Sequence, residues 1–497
     1  MKWANFLHIY QPTRQVVEIF DRVVNESYRP LINELRKNKK IKINLNINGA
    51  LTEQFAQREY NDILDGLRFL AERGQIEFTG SAKYHALLPL LPLEEIERQI
   101  TLNYETNRAL LGASYNPKGF FPPEMAYAPA LAPILEKLGY EWLIIDEIGL
   151  NGRVNQLDSH ALYKMKNSNL KIFFRERNPS NVIMSALIRE KKDFVYWLKE
   201  DFQKKGYMIT GMDGETFGHH RPGLLKLLIG LSKTREFDHV FISELPKYFS
   251  QIIEVGPVVS TWASTERDIE TDSQFLSWRD PENPVHTWQW ELQNLALTTF
   301  QNHAQNKKLN IAIARQKLDE ALASDHFFWA SGKPWWSLEV VESGAWNLLD
   351  TIKSIPGVEV AEINLAQDYY NKIVAKIFDM QRSGYIRELA RKYKEHARIP
   401  FKDRTVGGGE PWVYDAFMSL LRREMRAAGK KENFEEAILW RDAIWKLETK
   451  NDVYDAIHAI DLLRKKITEP ELLDTIEKYR LQYEKLKPGQ PEHRDIG

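Results

Sequence analysis

Short apolar segments with strand character alternate with segments of helical periodicity through the first half of the chain. Strands are predicted at residues 3–9, 41–47, 75–80, 119–121, 142–147 and 170–174, and another ends at Ile209. Helices are predicted between them at 16–37, 51–73, 93–111, 129–138 and 181–204. Such alternation is typical of parallel sheets built from βαβ units. Polar residues follow every strand, from His8 to Asp213, which favours a closed or nearly closed barrel over an open sheet with one switch point.

The second half of the chain changes character near Trp288, where long helical patterns replace the alternation. We therefore predict three parts: a catalytic barrel at 1–287, a helical domain at 288–395 that completes the cleft, and a C-terminal helical extension at 396–497. Gly407–Gly409 is the expected linker, and the tail from Lys487 is expected to fray because it is rich in proline and charge.

Charge and composition narrow the classes of function. The net charge is −1, so no overall field attracts nucleic acid or an anionic membrane. Cysteine is absent and no apolar run is long enough to span a bilayer, so we expect a cytoplasmic protein. No G-x-G-x-x-G or P-loop pattern occurs, and we expect no cofactor and no bound metal. The chain has 14 Trp, 20 Tyr and 23 Phe, a supply that suits stacking on sugar rings.

Two acidic segments at predicted strand exits are the candidates for chemistry. Asp213 and Glu215 follow a buried strand, and Glu124 follows the rigid dipeptide Pro122-Pro123. Cleavage of a glycosidic bond needs one carboxylate to attack the anomeric carbon and one carboxylic acid to protonate the leaving oxygen. A neighbouring like charge from Glu215 is expected to raise the pKa of Asp213 and to suit it to the acid role. Each acid alone is more often a surface group, so the prediction depends on the pair.

Several short blocks, in this order, resemble glycoside hydrolase family 57. They are His8-Ile9-Tyr10-Gln11-Pro12, Gly74-Gln75-Ile76-Glu77, His85-Ala86-Leu87-Leu88-Pro89-Leu90, Phe121-Pro122-Pro123-Glu124, Phe174-Arg175-Glu176-Arg177, Asp213-Gly214-Glu215 and Ser324-Asp325-His326-Phe327-Phe328-Trp329. The resemblance covers roughly residues 3–350 and leaves 360–497 unmatched.

That resemblance implies a distorted (β/α)7 TIM barrel with a helical domain at its mouth. It also implies retaining action on α-glucans, by hydrolysis or by transfer, with Glu124 as nucleophile and Asp213 as general acid/base. The residues expected to bind substrate are His8, Gln11, Glu77, His85, Arg175, Glu215, Trp262, Asp325 and Trp329. Trp278, Trp335 and Trp336 are further candidates for stacking on neighbouring sugars. The expected partner is an oligo- or polysaccharide, and the C-terminal helices offer a surface for a homo-oligomer.

Two positions depart from the family pattern. Tyr10 stands where the family has its second histidine, and Phe121 replaces its usual tryptophan. A tyrosine can donate a hydrogen bond but cannot become a cation, so we expect a different affinity or specificity next to the bond that is cut.

Two alternatives stay open at this point. His8, Asp213, His219 and His220 could supply ligands for a metal-dependent deacetylase or mannosidase on a related barrel. Adjacent histidines point in different directions, which disfavours a shared ion. The second alternative is a non-catalytic glycan-binding protein.

Overall fold

The computed structural model describes residues 1–185, 190–333, 335–392, 411–449, 462–463 and 466–486. The predicted linker at Gly407–Gly409 and the tail from Lys487 lie outside these ranges. The described residues form two compact units. The first comprises Met1–Ser331 and Trp335–Asp379, and the second comprises the remaining described residues. The three-part division stays a prediction.

One curled sheet organises the first unit. Its strands are β1 (Lys2–Ile9), β2 (Ile43–Ile47), β3 (Ile76–Gly80), β4 (Gly119–Phe120), β5 (Trp142–Asp146), β6 (Ala161–Met165), β7 (Lys171–Arg175), β8 (Tyr207–Asp213), β9 (Asp238–His239) and β10 (Gln251–Val255). Their order is β10-β6-β7-β5-β4-β3-β2-β1-β8, and β9 pairs with β1. Every pair is parallel except β6 with β7. The predicted parallel architecture, a distorted β/α barrel followed by helices, is confirmed.

Helices connect and cover the strands. Those before residue 260 are α1 (Val17–Val23), α2 (Arg29–Lys37), α3 (Gly49–Gln57), α4 (Asn61–Glu72), α5 (Leu93–Leu111), α6 (Leu131–Lys137), α7 (Arg177–Ser185), α8 (Lys191–Trp197), α9 (Lys199–Lys204) and α10 (Leu225–Leu231). A π-helical turn, Val24–Tyr28, joins α1 to α2. Two predicted helices were wrong in extent. The helix predicted at 51–73 breaks at Glu59, which has φ 61°, and the one at 181–204 is divided among α7, α8 and α9.

The later part of the chain is helical, as predicted. Its helices are α11 (Glu266–Glu270), α12 (Pro284–Ala304), α13 (Ala312–Ala321), α14 (Asp325–Phe328), α15 (Leu338–Lys353), α16 (Val360–Arg382), α17 (Tyr385–Lys392), α18 (Pro411–Lys430), α19 (Phe434–Thr449) and α20 (Glu469–Leu486). The second unit has its own apolar core, which includes Trp440 and Leu421. No helix in the described ranges is both long and apolar enough to cross a membrane.

Alternation along β1 decides which side chains reach the site. Trp3, Leu7 and Ile9 pack among the covering helices, whereas Ala4 and Phe6 belong to the core inside the curl of the sheet. Successive side chains of a strand point to opposite faces. His8 therefore lies on the inner face, at the carboxyl end of the strand.

Candidate active site

Glu124 is held in a strained turn just after β4. Pro122 and Pro123 precede it, and its φ of 61° lies in the left-handed region, which is rare for residues other than glycine. Trp262 holds it twice: the backbone N–H of Trp262 donates to the carbonyl oxygen of Glu124 at 3.1 Å, and its Nε1 donates to Oε2 at 2.7 Å. The Oε1 atom lies 3.9 Å from Nδ1 of His85. One carboxylate oxygen is thus anchored, and for the other the described residues supply no hydrogen bond.

The pKa of Glu124 is raised to about 8, mainly by burial and also by the charges of Asp213 and Asp325, while the indole hydrogen bond opposes the rise. About 16% of the Glu124 side chain stays accessible, so a ligand can reach the carboxyl group. A carboxyl group whose pKa is raised in a partly open site is a candidate for acid–base or nucleophilic chemistry.

Asp213 ends β8 directly beside the end of β1. It is the register partner of His8, so both stand at the carboxyl edge of the sheet. Burial raises the pKa of Asp213 to about 6, and the positive charge of Arg175 opposes that rise. The expected rise is therefore present, with burial as its main cause. Since the Asp213 charge contributes to the raised pKa of Glu124, the two carboxyl groups interact within one site.

Four aromatic rings form a stacked cluster at the strand ends. The ring of Phe121 stacks on His8 at 4.8 Å, His8 on His85 at 5.2 Å, and His85 on Tyr10 at 4.4 Å. Nδ1 of His8 lies 2.7 Å from Oδ1 of Asn46. Burial lowers the pKa of His8 to about 4 and that of His85 well below its usual value. Both imidazoles are therefore neutral near pH 7.

Tyr10 connects this cluster to the helical region. Its hydroxyl donates to Oδ2 of Asp325, the first residue of α14, at 2.7 Å. Burial raises the pKa of Asp325 to about 6, and the Tyr10 hydrogen bond opposes the rise. The residue that departs from the family pattern thus gives Asp325 a neutral donor.

Glu215 is surrounded by donors beside Asp213. The Tyr28 hydroxyl donates to its Oε1, as do Nε2 of Gln11 and the backbone N–H of Tyr10, each at 3.3 Å. Burial, followed by the charge of Asp213, raises the pKa of Glu215 to about 7. All three donors meet at Oε1, so Glu215 ties Tyr10, Gln11 and Tyr28 together beside Asp213.

Arg175 is the buried cation of the site. Its Nη1 donates to Oδ2 of Asp146 at 2.7 Å and its Nε donates to the carbonyl of Gly211 at 2.7 Å. The guanidinium lies 6.0 Å from the centre of the Trp262 ring. Asp146 is a supporting residue that the sequence did not single out, although it ends β5.

Two residues predicted for the site have other surroundings. Glu77 lies two residues further from the carboxyl edge of the sheet than His8, since its register partner Asn44 pairs with Phe6. Its carboxylate accepts hydrogen bonds from Asn44 and Ser243. Trp278 is fully buried and was wrong as a stacking platform.

Trp329 lines a cavity of about 530 Å³ that also borders Tyr10 and Asp325. The cavity also borders His220 and His219, whose Nδ1 lies 2.7 Å from Oε2 of Glu26. Among the described residues no three His, Asp or Glu side chains are grouped as a metal site.

The curled β/α sheet, with two interacting carboxyl groups at the ends of β4 and β8, defines the class: an enzyme of the glycoside hydrolase type. A family model described as glycosyl hydrolase family 57 matches residues 3–262. The chain belongs to that family.

Relatives match different shares of the chain. The 4-alpha-glucanotransferase of Thermococcus litoralis is 31% identical over 150 residues, which are 30% of this chain and 22% of that protein. The alpha-amylase of Pyrococcus horikoshii is 24% identical over 298 residues, 56% of this chain and 46% of that protein. The matched region thus spans less than half of each relative.

The fold also matches solved structures. The family 57 branching enzyme of Thermococcus kodakaraensis, solved in complex with glucose, aligns with a TM-score of 0.60 and 17% identity. The alignment covers 74% of this chain and 94% of that one.

Proposed function

We propose that the protein is a retaining α-glucan hydrolase or transglycosidase, with Glu124 as nucleophile and Asp213 as general acid/base. The observation that carries the proposal is the pair itself: two partly exposed carboxyl groups at the carboxyl ends of β4 and β8, both with raised pKa, one of them fixed by an indole N–H. The named relatives, an amylase, a glucanotransferase and a branching enzyme, support α-glucans as the substrate class.

The chemistry follows from the two oxygens of Glu124. Oε2 accepts the Trp262 hydrogen bond, so Oε1 attacks the anomeric carbon while the glycosidic C–O bond breaks. Asp213 donates its proton to the departing oxygen, leaving a glycosyl ester on Glu124. Water or a sugar hydroxyl then gives its proton to Asp213 and displaces Glu124. The acceptor decides between hydrolysis and transfer.

The pKa order sets a condition on this reaction. Glu124 holds its proton more tightly than Asp213 in the empty site, the reverse of the order that the two roles require. The reactive form has one proton on the pair, located on Asp213. It is therefore the minor of the two singly protonated forms, and any contact that lowers the pKa of Glu124 increases its share.

We assign the other polar side chains to the sugar. His8, His85 and Gln11 line the carboxyl edge beside the pair, and Nε2 of His85 is buried without a hydrogen-bond partner among the described residues. A sugar hydroxyl would satisfy that atom. The cavity of about 530 Å³ beyond Tyr10, Asp325 and Trp329 is of ordinary size for a small-ligand pocket and is assigned to the next sugar unit. Glu77, Arg175 and Glu215 are assigned to supporting the site.

The test is activity on maltooligosaccharides and aryl α-glycosides, with products separated by length. Glu124→Gln should lose at least ~10³-fold in kcat, the scale expected for removal of a nucleophile. Glu97→Gln, an acid on α5 paired with Lys137 away from the site, is the matched control. Longer products would identify a transferase and only shorter ones a hydrolase. A wild type that binds glycans but turns over none of these substrates would contradict the proposal and leave a binding protein.

The expected cytoplasmic location and homo-oligomer remain proposals. The first is supported by the absence of cysteine. The second is supported by apolar residues of α19 that are exposed in the described structure, including Phe434, Ile438 and Leu439.

A further inference from the structure

A second concave site lies at the opposite end of the sheet, where β1 begins. The groove has a volume of about 860 Å³, and its basic side chains come from two separate segments. Lys39 and Lys40 lie in the turn before β2, and Lys233 and Arg235 follow α10. We call these four residues and the adjoining His239 the basic groove. Lys2 also lines it and stands six residues before His8, about 20 Å along the strand from the catalytic edge.

The charges of the basic groove are not balanced by protein acids. Asp238 is the acid that lines it, and its Oδ2 is bonded to Nζ of Lys2 at 3.0 Å. For Lys39, Lys40, Lys233 and Arg235 the described structure holds no ion-pair partner, and all four are exposed. Four unpaired like charges around one concavity repel each other, in a chain whose net charge is −1. An anion in the groove would remove that cost.

His239 provides an independent observation. It pairs with Trp3 in the β1–β9 register, and its ring centre lies 4.9 Å from that of Trp3. Neither ring nitrogen has a hydrogen-bond partner among the described residues, and both are shielded from solvent. Burial lowers the pKa of His239 to about 4, so the neutral ring carries one donor N–H at pH 7. Buried polar atoms are nearly always paired with protein, water or an ion, and the groove that His239 lines offers room for such a partner.

We propose that the basic groove binds a small soluble anion that carries two or more phosphate groups. Cations from two separated segments can engage two phosphate groups at once, whereas a single phosphate would use only part of the groove. The low overall charge gives no long-range attraction for a nucleic acid or a membrane, so the site selects by local contacts. The groove shares no lining residue with the catalytic edge, and the proposal is independent of the α-glucan chemistry.

Calorimetric titration of the full chain with sodium pyrophosphate tests this site. Lys39→Ala/Lys40→Ala should weaken binding by about 10-fold or more, since each lost cation removes a charge-assisted contact to the anion. Lys307→Ala/Lys308→Ala removes another exposed adjacent lysine pair, in the turn between α12 and α13, and should leave the affinity unchanged. Wild type without measurable binding, or equal losses in both double variants, would overturn the proposal.

Further ligands and variants show which class of phosphate-bearing anion the basic groove binds. Lys233→Ala/Arg235→Ala should weaken pyrophosphate binding as much as the first pair, and orthophosphate should bind at least about 10-fold more weakly to wild type. Orthophosphate binding as tightly would refute the requirement for two phosphate groups. A single-stranded oligonucleotide binding more tightly than pyrophosphate would reassign the groove to nucleic acid. Circular dichroism establishes that each variant is folded.

Discussion

Trp262→Phe isolates the hydrogen bond that fixes the proposed nucleophile. The indole Nε1 donates to Oε2 of Glu124 at 2.7 Å, and phenylalanine keeps a ring in place while removing the donor. A hydrogen bond to a charged group contributes about 1.5–3 kcal/mol. Its loss should raise the pKa of Glu124 above about 8, because this bond is the contact that opposes burial there.

The sign of the effect follows from the pKa order. Raising the pKa of Glu124 reduces the share of the form with the proton on Asp213, so kcat/KM should fall by about 10- to 150-fold. The last proton of the Glu124–Asp213 pair is then lost at a higher pH. The alkaline limb of the pH profile of kcat/KM should therefore move up by about 1–2 pH units.

The assay is the pH dependence of kcat/KM on an aryl α-maltooligoside. Trp346→Phe is the matched control, because Trp346 is 41% exposed on α15 and lies outside the site. A fall of less than about threefold with both limbs unmoved would show that the indole does not control Glu124.

Three further predictions concern Asp325, Asp146 and Glu124. Tyr10→Phe removes the 2.7 Å hydrogen bond that the Tyr10 hydroxyl donates to Asp325. The pKa of Asp325 should then rise above about 6, and kcat/KM should fall about 10-fold near pH 6. An unchanged acid limb of the pH profile of kcat/KM would refute this prediction. Arg175→Met removes an ion-pair partner of the fully buried Asp146. The free energy of unfolding, measured by urea titration, should fall by about 3 kcal/mol because the buried carboxylate loses that partner. A loss below about 1 kcal/mol is typical of solvent-exposed ion pairs and would contradict the prediction. Because burial raises the pKa of Glu124 in the folded protein to about 8, the stability that this group contributes to the wild type is complete below the unfolded pKa and is lost as pH rises through 8. Gln cannot ionise, so Glu124→Gln should be more stable than wild type above pH 8. Its melting temperature should match wild type near pH 4, and a variant less stable at both pH values would contradict the sign.

Local patterns predicted the strands that carry the site. The residues 3–9, 142–147 and 170–174 appear as β1, β5 and β7 within two residues, because apolar runs with polar exits are a local property. The antiparallel strand β6 was missed, as were β9 and β10. Their pairing depends on distant partners, and β9 is only two residues long.

The candidate site, like the fold, was only partly predictable from local sequence. Glu124 and Asp213 stand out in the sequence because each acid follows a strand signal. The Trp262 hydrogen bond spans 138 residues and the Tyr10–Asp325 bond spans 315, so no local pattern could reveal either partner. The resemblance to the family supplied Asp325, and only the folded chain shows why a tyrosine at position 10 is compatible with it.

The pKa values also refine the expected roles. The sequence predicted that Glu215 would raise the pKa of Asp213, but burial is the main cause and the higher pKa belongs to Glu124. How deeply a side chain is buried at the strand ends cannot be predicted from the residues adjacent to it in sequence. Under the proposed mechanism, the Trp262 hydrogen bond is the contact that keeps Glu124 reactive.

The most direct test is to trap the covalent intermediate. The full-length enzyme would be incubated with a 5-fluoro-α-glucosyl fluoride, digested, and analysed by tandem mass spectrometry. We predict one glycosyl adduct, on the peptide that contains Glu124, together with time-dependent loss of activity. An adduct on another residue, or full turnover without any adduct, would contradict the assignment of Glu124 as the nucleophile.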